Sequence, residues 1–337
     1  MIIFRIDLGH KYGLGHYSRI KSLINYLNLK KYKIVIDNQS DKNFLLSEKN
    51  KVISLYSQNN KFKNEATDAK LFLKVIKNNY KNSIIIKDSY RMGYTWEKKV
   101  SKYCKKIISI DDSLNNKHFS DVFINHNPGI SNNNKTILKN LRKKNKRNCK
   151  FLLGPDFALF NSKCNKRKII KSDLVFYNGG SGNLLIYEKV IKRIKKLNKN
   201  LKVISIIGPY SNNQKFFSIF NNSSNIKLIK NPKNISEILN GTKIFISPAS
   251  ISMFESSFLR TPTLLLKMND KQNLPDLYYE KLGHYFLLQK QDIKYTDKIA
   301  NLIYLMFNNT SQIKKMMSQS SLNISKIKKN YRKNLKF

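Results

Sequence analysis

Acidic residues are scarce in this 337-residue chain: 21 Asp and Glu stand against 64 Lys and Arg, a formal charge of +43. Cysteine is scarcer still. The three present, Cys104, Cys149 and Cys164, are widely spaced and form no Cys-x-x-Cys, which excludes a disulfide framework and a cysteine zinc site. No apolar run approaches the ~18 residues that span a bilayer. Residues 1–5, Met-Ile-Ile-Phe-Arg, open into a strand-like segment rather than a signal peptide. A cytoplasmic chain without a transmembrane segment is expected.

A positive field of this size attracts polyanions. Here the excess is nearly all lysine, is spread along the chain and comes with abundant Asn and Ile, as AT-rich codon usage would give. No nucleic-acid partner is therefore expected, although anionic substrates gain from the field.

What the chain does have is alternation. Short β-rich runs at 2–7, 33–36, 51–55, 83–87, 106–110 and 122–124 are separated by segments of helical period at 17–27 and 67–77, the pattern of βα units on a parallel sheet. Residues 131–150 turn Asn/Lys-rich and read as a surface excursion, with order resuming at 151–154. After a basic linker at 163–171 the alternation restarts, with strands at 173–177, 201–207, 226–229, 243–247, 263–266 and 285–288 and helices at 187–197, 235–239, 252–259 and 296–307. The expected domains are 1–162 and 172–315. A tail at 316–337 has weak helical spacing, so that it packs back on the first domain or is solvated. At this length two domains are expected, and a ligand between them at the carboxyl ends of the strands.

Three loops that follow strands carry the candidate chemistry. In the first, Gly13-Leu14-Gly15-His16, the glycines permit close backbone approach to a ligand, and the following helix aims free N–H groups at it. A diphosphate suits that loop. Ser18 stands where a dinucleotide fingerprint has its third glycine, and His16 adds a group able to move a proton near neutrality; a capping histidine is the competing reading. His10 is a possible second contact. The second loop, Gly179-Gly180-Ser181-Gly182-Asn183, is an anion nest or a flexible turn. In the third, Ser250 and Ser252 lead into a helix that carries Glu255 about one turn inside, where a carboxylate can accept both hydroxyls of a ribose or simply favour the helix dipole. Residues 269–273 form a polar loop suited to a sugar. His118, His126 and His284 lack a partner at metal-ligand spacing and read as structural or surface residues.

In this order and spacing the loops resemble the UDP-sugar hydrolase of pseudaminic-acid biosynthesis and its spore-coat-polysaccharide relatives, members of the GT-B superfamily. The resemblance runs from Phe4-Arg5-Ile6-Asp7 through Gly13-x-Gly15-His16-x-x-Arg19, Asp88-Ser89-Tyr90, Ile110-Asp111-Asp112, Asp121 and Gly154-Pro155-Asp156-Phe157-Ala158-Leu159. It continues to Gly179-Gly180-Ser181, the Ser250 to Glu255 helix start and Asp270-Lys271-Gln272. It implies a GT-B fold, two Rossmann-like α/β domains facing each other across a nucleotide-sugar cleft. The implied reaction is hydrolysis of a UDP-linked 2,4-diacetamido-2,4,6-trideoxy sugar to free sugar and UDP, with no metal and no cofactor. His16 would orient or deprotonate water. Gly13, Gly15, Gly179, Gly180, Ser181, Ser250, Ser252 and Glu255 would bind the UDP, and Asp7, Arg19, Tyr90, Asp270 and Gln272 the sugar.

Asn161, Lys271 and Ser89 depart from frequent family residues, mostly around the sugar. The chain has no Asp-x-Asp triplet, which weighs against metal-clamped transferases. An inverting GT-B transferase that passes the sugar of a UDP-sugar donor to another acceptor is the alternative.

Overall fold

A computed structural model of the chain describes residues 1–9, 12–38, 45, 50–56, 62–80, 82–163, 169–268, 274–318 and 322–335. Two compact units divide it, the first made of Met1–Tyr12, His16–Leu159 and Ser325–Phe337, the second of Gly13–Gly15 and Phe160–Ile324.

The strands of the first unit are β1 (Ile2–Ile6), β2 (Tyr32–Asn38), β3 (Val52–Tyr56), β4 (Ile84–Asp88), β5 (Lys106–Ile110), β6 (Val122–Asn125) and β7 (Lys150–Leu153). They form one seven-stranded parallel sheet in the order β3-β2-β1-β4-β5-β6-β7. Around it run α1 (Gly15–Leu27), α2 (Glu65–Asn79), α3 (Tyr94–Val100) and α4 (Lys135–Lys144). Every residue of β1 and β4 is buried, so these strands read as near-continuous Ile runs rather than alternating ones, as a parallel sheet covered on both faces requires.

Two basic side chains of its central strands are buried in this core. Arg5 of β1 reaches Asp68 of α2 at 2.5 Å and Asp37 of β2 at 2.5 Å. Lys87 of β4 meets Glu97 of α3 at 2.7 Å. Asp68 also accepts from Tyr56 Oη (3.1 Å) and from Trp96 Nε1 (2.8 Å), so α2, α3 and β3 are pinned to the sheet through one carboxylate. Removing one partner of a buried ion pair leaves an uncompensated charge and costs about 3–5 kcal/mol. Asp68→Ala is therefore expected to unfold the first unit at clearly lower urea. Trp96 is the only tryptophan, so its fluorescence reports that transition, and an unchanged midpoint would contradict this account.

The stretch at 131–150 is not a bare surface excursion: α4 fills half of it. Asn134 caps the helix by accepting the Ile137 N–H at 3.0 Å. Leu141 packs with Phe123, Ile130 and Leu153, and Ile137 and Leu138 lie against that cluster. The apolar stripe is only three residues wide, and the Lys and Asn around it hide it.

The second unit holds β8 (Ser172–Tyr177), β9 (Val203–Ile207), β10 (Ile226–Lys230), β11 (Thr242–Pro248), β12 (Thr263–Lys267) and β13 (Phe286–Gln289). These form a parallel sheet in the order β10-β9-β8-β11-β12-β13. Its helices are α5 (Glu188–Leu197), α6 (Gln214–Phe220), α7 (Ile235–Leu239), α8 (Ile251–Leu259), α9 (Asp276–Glu280), α10 (Thr296–Asn308) and α11 (Thr310–Met317).

A last helix, α12 (Ile324–Asn334), belongs mostly to the first unit. Tyr331 is fully buried there and donates its hydroxyl to the Phe157 carbonyl at 2.6 Å, while Arg332 donates to the Tyr26 carbonyl at 3.1 Å. Among the described residues no helix is long and apolar enough to cross a membrane.

Candidate active site

Both sheets reverse their strand order once, between β1 and β4 in the first unit and between β8 and β11 in the second. At such a point the loops leave the strand ends in opposite directions and open a crevice, the usual ligand position in an open α/β sheet. The glycine loop and His16 follow β1, and Asp88-Ser89-Tyr90 follows β4. The Gly179 loop follows β8, and Ser250 follows β11. The candidate residues thus collect at two switch points.

In the first unit His16 is in the first turn of α1, three residues before Arg19, so the two share a helix face. His16 is 2% exposed, and its Nδ1 lies 2.5 Å from Asp88 Oδ1. Arg19 Nε and Nη2 donate to Asp88 at 2.8 and 2.5 Å, and Nη1 donates to Asp112 at 2.5 Å. Arg19 Nη2 also lies 2.8 Å from His16 Nδ1. A guanidinium only donates, and Nδ1 has the shorter contact with the carboxylate. That short approach to Arg19 therefore follows from both groups donating to Asp88 Oδ1. In the neutral imidazole, a proton on Nδ1 toward Asp88 leaves the lone pair on Nε2.

Tyr90 packs its ring edge-on against His16 with centroids 4.7 Å apart, and its hydroxyl donates to Asp112 at 2.7 Å. Burial, then the Asp112 charge, pushes the Tyr90 phenol well up, so it remains a donor. Burial would likewise raise Asp112, but Arg19, His126 and Tyr90 outweigh it and hold that carboxyl well below the ordinary range. Asp7 is fully buried and accepts from Ser89 Oγ (2.8 Å) and Arg91 Nε (3.1 Å). Burial opposes its ionisation, and Arg91 more than offsets that. Arg91 also pairs with Asp37 at 2.8 Å and stacks on Tyr12 and Phe62.

Of the residues expected around the sugar, Asp7 and Arg19 are turned into this internal network, and Tyr90 is 39% exposed beside His16. Asp270 and Gln272, like His10, lie outside the described residues. Asp88 and Asp112, the partners that organise His16 and Arg19, were legible only as motif residues without a role. His126, read as structural or surface, is buried with Nε2 3.6 Å from Asp112 Oδ1. His118 bonds Glu97 at 2.8 Å and His284 the Met253 carbonyl at 2.8 Å.

In the second unit Gly179 has φ +78, a left-handed turn that side chains resist. Gly208, just after β9, was not singled out in the sequence. A Cβ there would lie 2.4 and 2.5 Å from the Gly180 and Gly179 carbonyls, so only glycine lets the neighbouring loop seat against the strand. Tyr210 N–H then ties the Gly180 carbonyl at 2.9 Å. Among the described residues no backbone acceptor meets the N–H groups of Gly179, Gly180 or Ser181.

At the start of α8, Ser250 is extended and gives no side-chain cap; its Oγ lies 3.1 Å from Ser252 Oγ, which lies 3.2 Å from Ser247 Oγ. The first N–H groups of the helix thus have no side-chain cap. Glu255, 6% exposed, has one hydrogen bond among the described residues, from the Asn161 N–H at 3.3 Å. Burial pushes its carboxyl up to about 7.

Residues 174–333 match the family described as Glycosyltransferase family 28 C-terminal domain. An uncharacterized protein of Methanocaldococcus jannaschii is 24% identical over 290 residues, 80% of this chain and 56% of that protein. The chain thus spans little more than half the length of that curated relative. Among solved structures, a putative UDP-N-acetylglucosamine 2-epimerase from Listeria monocytogenes superposes with a TM-score of 0.61 at 11% identity, over 97% of this chain and 94% of its own. HepE of Anabaena in complex with UDP-glucose gives 0.59 at 10% identity, over 99% and 98%. MurG of Acinetobacter baumannii gives 0.55 at 9% identity, over 98% and 99%. With two parallel-sheet α/β units and these neighbours along nearly its whole length, the chain has the GT-B fold.

Proposed function

We propose that the chain hydrolyses a UDP-linked 2,4-diacetamido-2,4,6-trideoxyhexose to free sugar and UDP, as in pseudaminic-acid biosynthesis, with His16 as the base toward water. The observation that carries this reading is the His16–Asp88 pair at the switch point of the first sheet. A carboxylate on Nδ1 fixes the tautomer and stabilises the imidazolium as it forms, the division of labour seen wherever a histidine is oriented for base catalysis.

One water is consumed. Its proton passes to His16 Nε2, its oxygen joins the sugar, and UDP leaves with the bonding pair. The open N–H groups around Gly179, Gly180 and Ser181 and the uncapped start of α8 at Ser250 and Ser252 suit the charge that builds on the diphosphate, with Gly13 and Gly15 aiming the start of α1 in the same way. Glu255 takes the ribose hydroxyls. Asp7 and Arg19 serve by holding Arg91, Asp88 and Asp112 in place, which leaves Tyr90 as the member of that set nearest a sugar. Solved proteins of the same fold carry UDP-glucose or UDP in their crystals, which supports the choice of nucleotide.

The match of 174–333 to a glycosyltransferase family, and the likeness to MurG, favour a second reading. In it the same UDP-sugar is a donor, and His16 deprotonates the hydroxyl of a glycan or lipid acceptor. Purified protein incubated with UDP-sugars in water alone separates the two. Rapid UDP release that survives a chelator is expected. Release that waits for an added acceptor would overturn the hydrolase.

A further inference from the structure

The network around His16 does not stop at Asp88. His16 pairs with Asp88, Asp88 with Arg19, Arg19 with Asp112, and Asp112 Oδ1 approaches His126 Nε2 at 3.6 Å. These side chains come from α1 and from the residues that end or follow β4, β5 and β6, neighbouring strands of one sheet. With both imidazoles neutral, two carboxylates and one guanidinium leave one excess negative charge. One proton on either histidine cancels it, and a second would leave a buried positive charge.

We propose that Asp112 and His126 complete a charge chain with Arg19, Asp88 and His16, making His126 a positioning residue for the base: protonation of one histidine disfavours protonation of the other. The other groups that face the chain are Asp7 after β1, Tyr90 after β4 and, toward Arg19, Tyr331 of α12. Asp7 is paired with Arg91, which it shares with Asp37, and the two phenols stay protonated, so neither histidine gains a partner outside the chain. Burial lowers the His126 imidazole, against the pull of Asp112, as the outlying member of such a pair should be. Two sites coupled in this way titrate as a pair.

This inference rests on His16 as the base, but its first test does not need turnover. Histidine ring signals of the ligand-free, full-length protein are followed by NMR across pH. In His16→Asn the apparent pKa of His126 is expected to rise by about one unit, the size a unit charge exerts across a partly buried site. In Asp112→Asn the apparent pKa of His16 is expected to fall by at least about half a unit, and the acidic limb of the UDP-release profile to move with it. A His126 titration unmoved by His16→Asn in folded protein overturns the coupling, and that arm decides alone if Asp112→Asn does not fold. If both shifts appear and no UDP-sugar is cleaved, the charge chain stands and the hydrolase reading falls.

Discussion

Asp88→Asn is expected to lower kcat for UDP release by ~10³–10⁴, nearly as much as His16→Ala, although Asp88 need never touch the substrate. Asp88 Oδ1 receives the His16 Nδ1 proton at 2.5 Å, and the same carboxylate receives two guanidinium donors from Arg19. An asparagine at this position offers one oxygen and one NH₂ group. If the oxygen stays with Arg19, the NH₂ group faces Nδ1, which must then accept, and the lone pair moves from Nε2 to the wrong side of the ring. If instead the oxygen faces His16, the NH₂ group meets the guanidinium donor to donor. Either arrangement removes the charge that stabilises the imidazolium. Nucleotide affinity should persist, because the residues assigned to UDP belong to the second unit. Steady-state kcat and KM for the two variants, with uridine binding as a control, check this. A kcat in Asp88→Asn within about threefold of the parent, alongside an inactive His16→Ala, would remove the dyad from the mechanism.

Glu255→Gln is expected to change how the protein responds to pH. Its carboxyl is raised from the ordinary glutamate value to about 7 because it is buried with a single backbone N–H for company. Ribose hydroxyls donate to the ionised form, so binding has to remove a proton whenever the pH is below that value. Affinity should fall as pH drops through 7, approaching tenfold per unit. Uridine is the suitable probe, since phosphate groups titrate in the same range. A Kd about tenfold weaker at pH 6 than at pH 8 is expected for the parent and a flat profile for Glu255→Gln.

The free protein supplies the opposite sign. A folded-state pKa above the unfolded one means that the native chain holds the proton longer, so this contribution to stability is complete below about pH 4.5 and is lost as pH rises through 7. Glu255→Gln should therefore raise the unfolding temperature at pH 8, where charge burial costs on the order of 3 kcal/mol, and change it little at pH 4. Equal shifts at both pH values would show that the carboxylate carries no burial penalty.

Most of the strands were legible because they are short apolar runs, many rich in β-branched residues, bounded by polar turns, and a parallel sheet leaves few other ways to bury 84–88 or 106–110. The glycine loops were legible too, since Gly179 and Gly13 mark backbone turns wherever the fold places them. What the sequence hid was partnership. His16 and Asp88 are 72 positions apart, and Arg19 and Asp112 are 93 apart, so no spacing rule connects them. Arg19 was expected at the sugar on the strength of the family resemblance, yet its place one turn after His16 turns it toward two carboxylates. Helix α4 was masked for a different reason, a three-residue apolar stripe diluted by lysine and asparagine. Gly208 carried no motif at all, because the need for it lies in carbonyls almost thirty residues earlier in the chain.

The course of α12 bears on how the protein is made. Tyr331 fills a place between Tyr26 and Phe157 in the first unit, with ring centroids 6.0 and 5.8 Å away. A growing chain emerges from the ribosome with its amino-terminal sheet first, but that sheet's unit lacks this piece until residue 331 has cleared the exit tunnel. The second unit, encoded between the two, ends at Ile324, only a few residues before Tyr331. The first unit, whose sheet precedes the second unit in the chain, is thus closed by residues that follow the second unit, and until they arrive the apolar seat around Tyr26 and Phe157 stays open to chaperones.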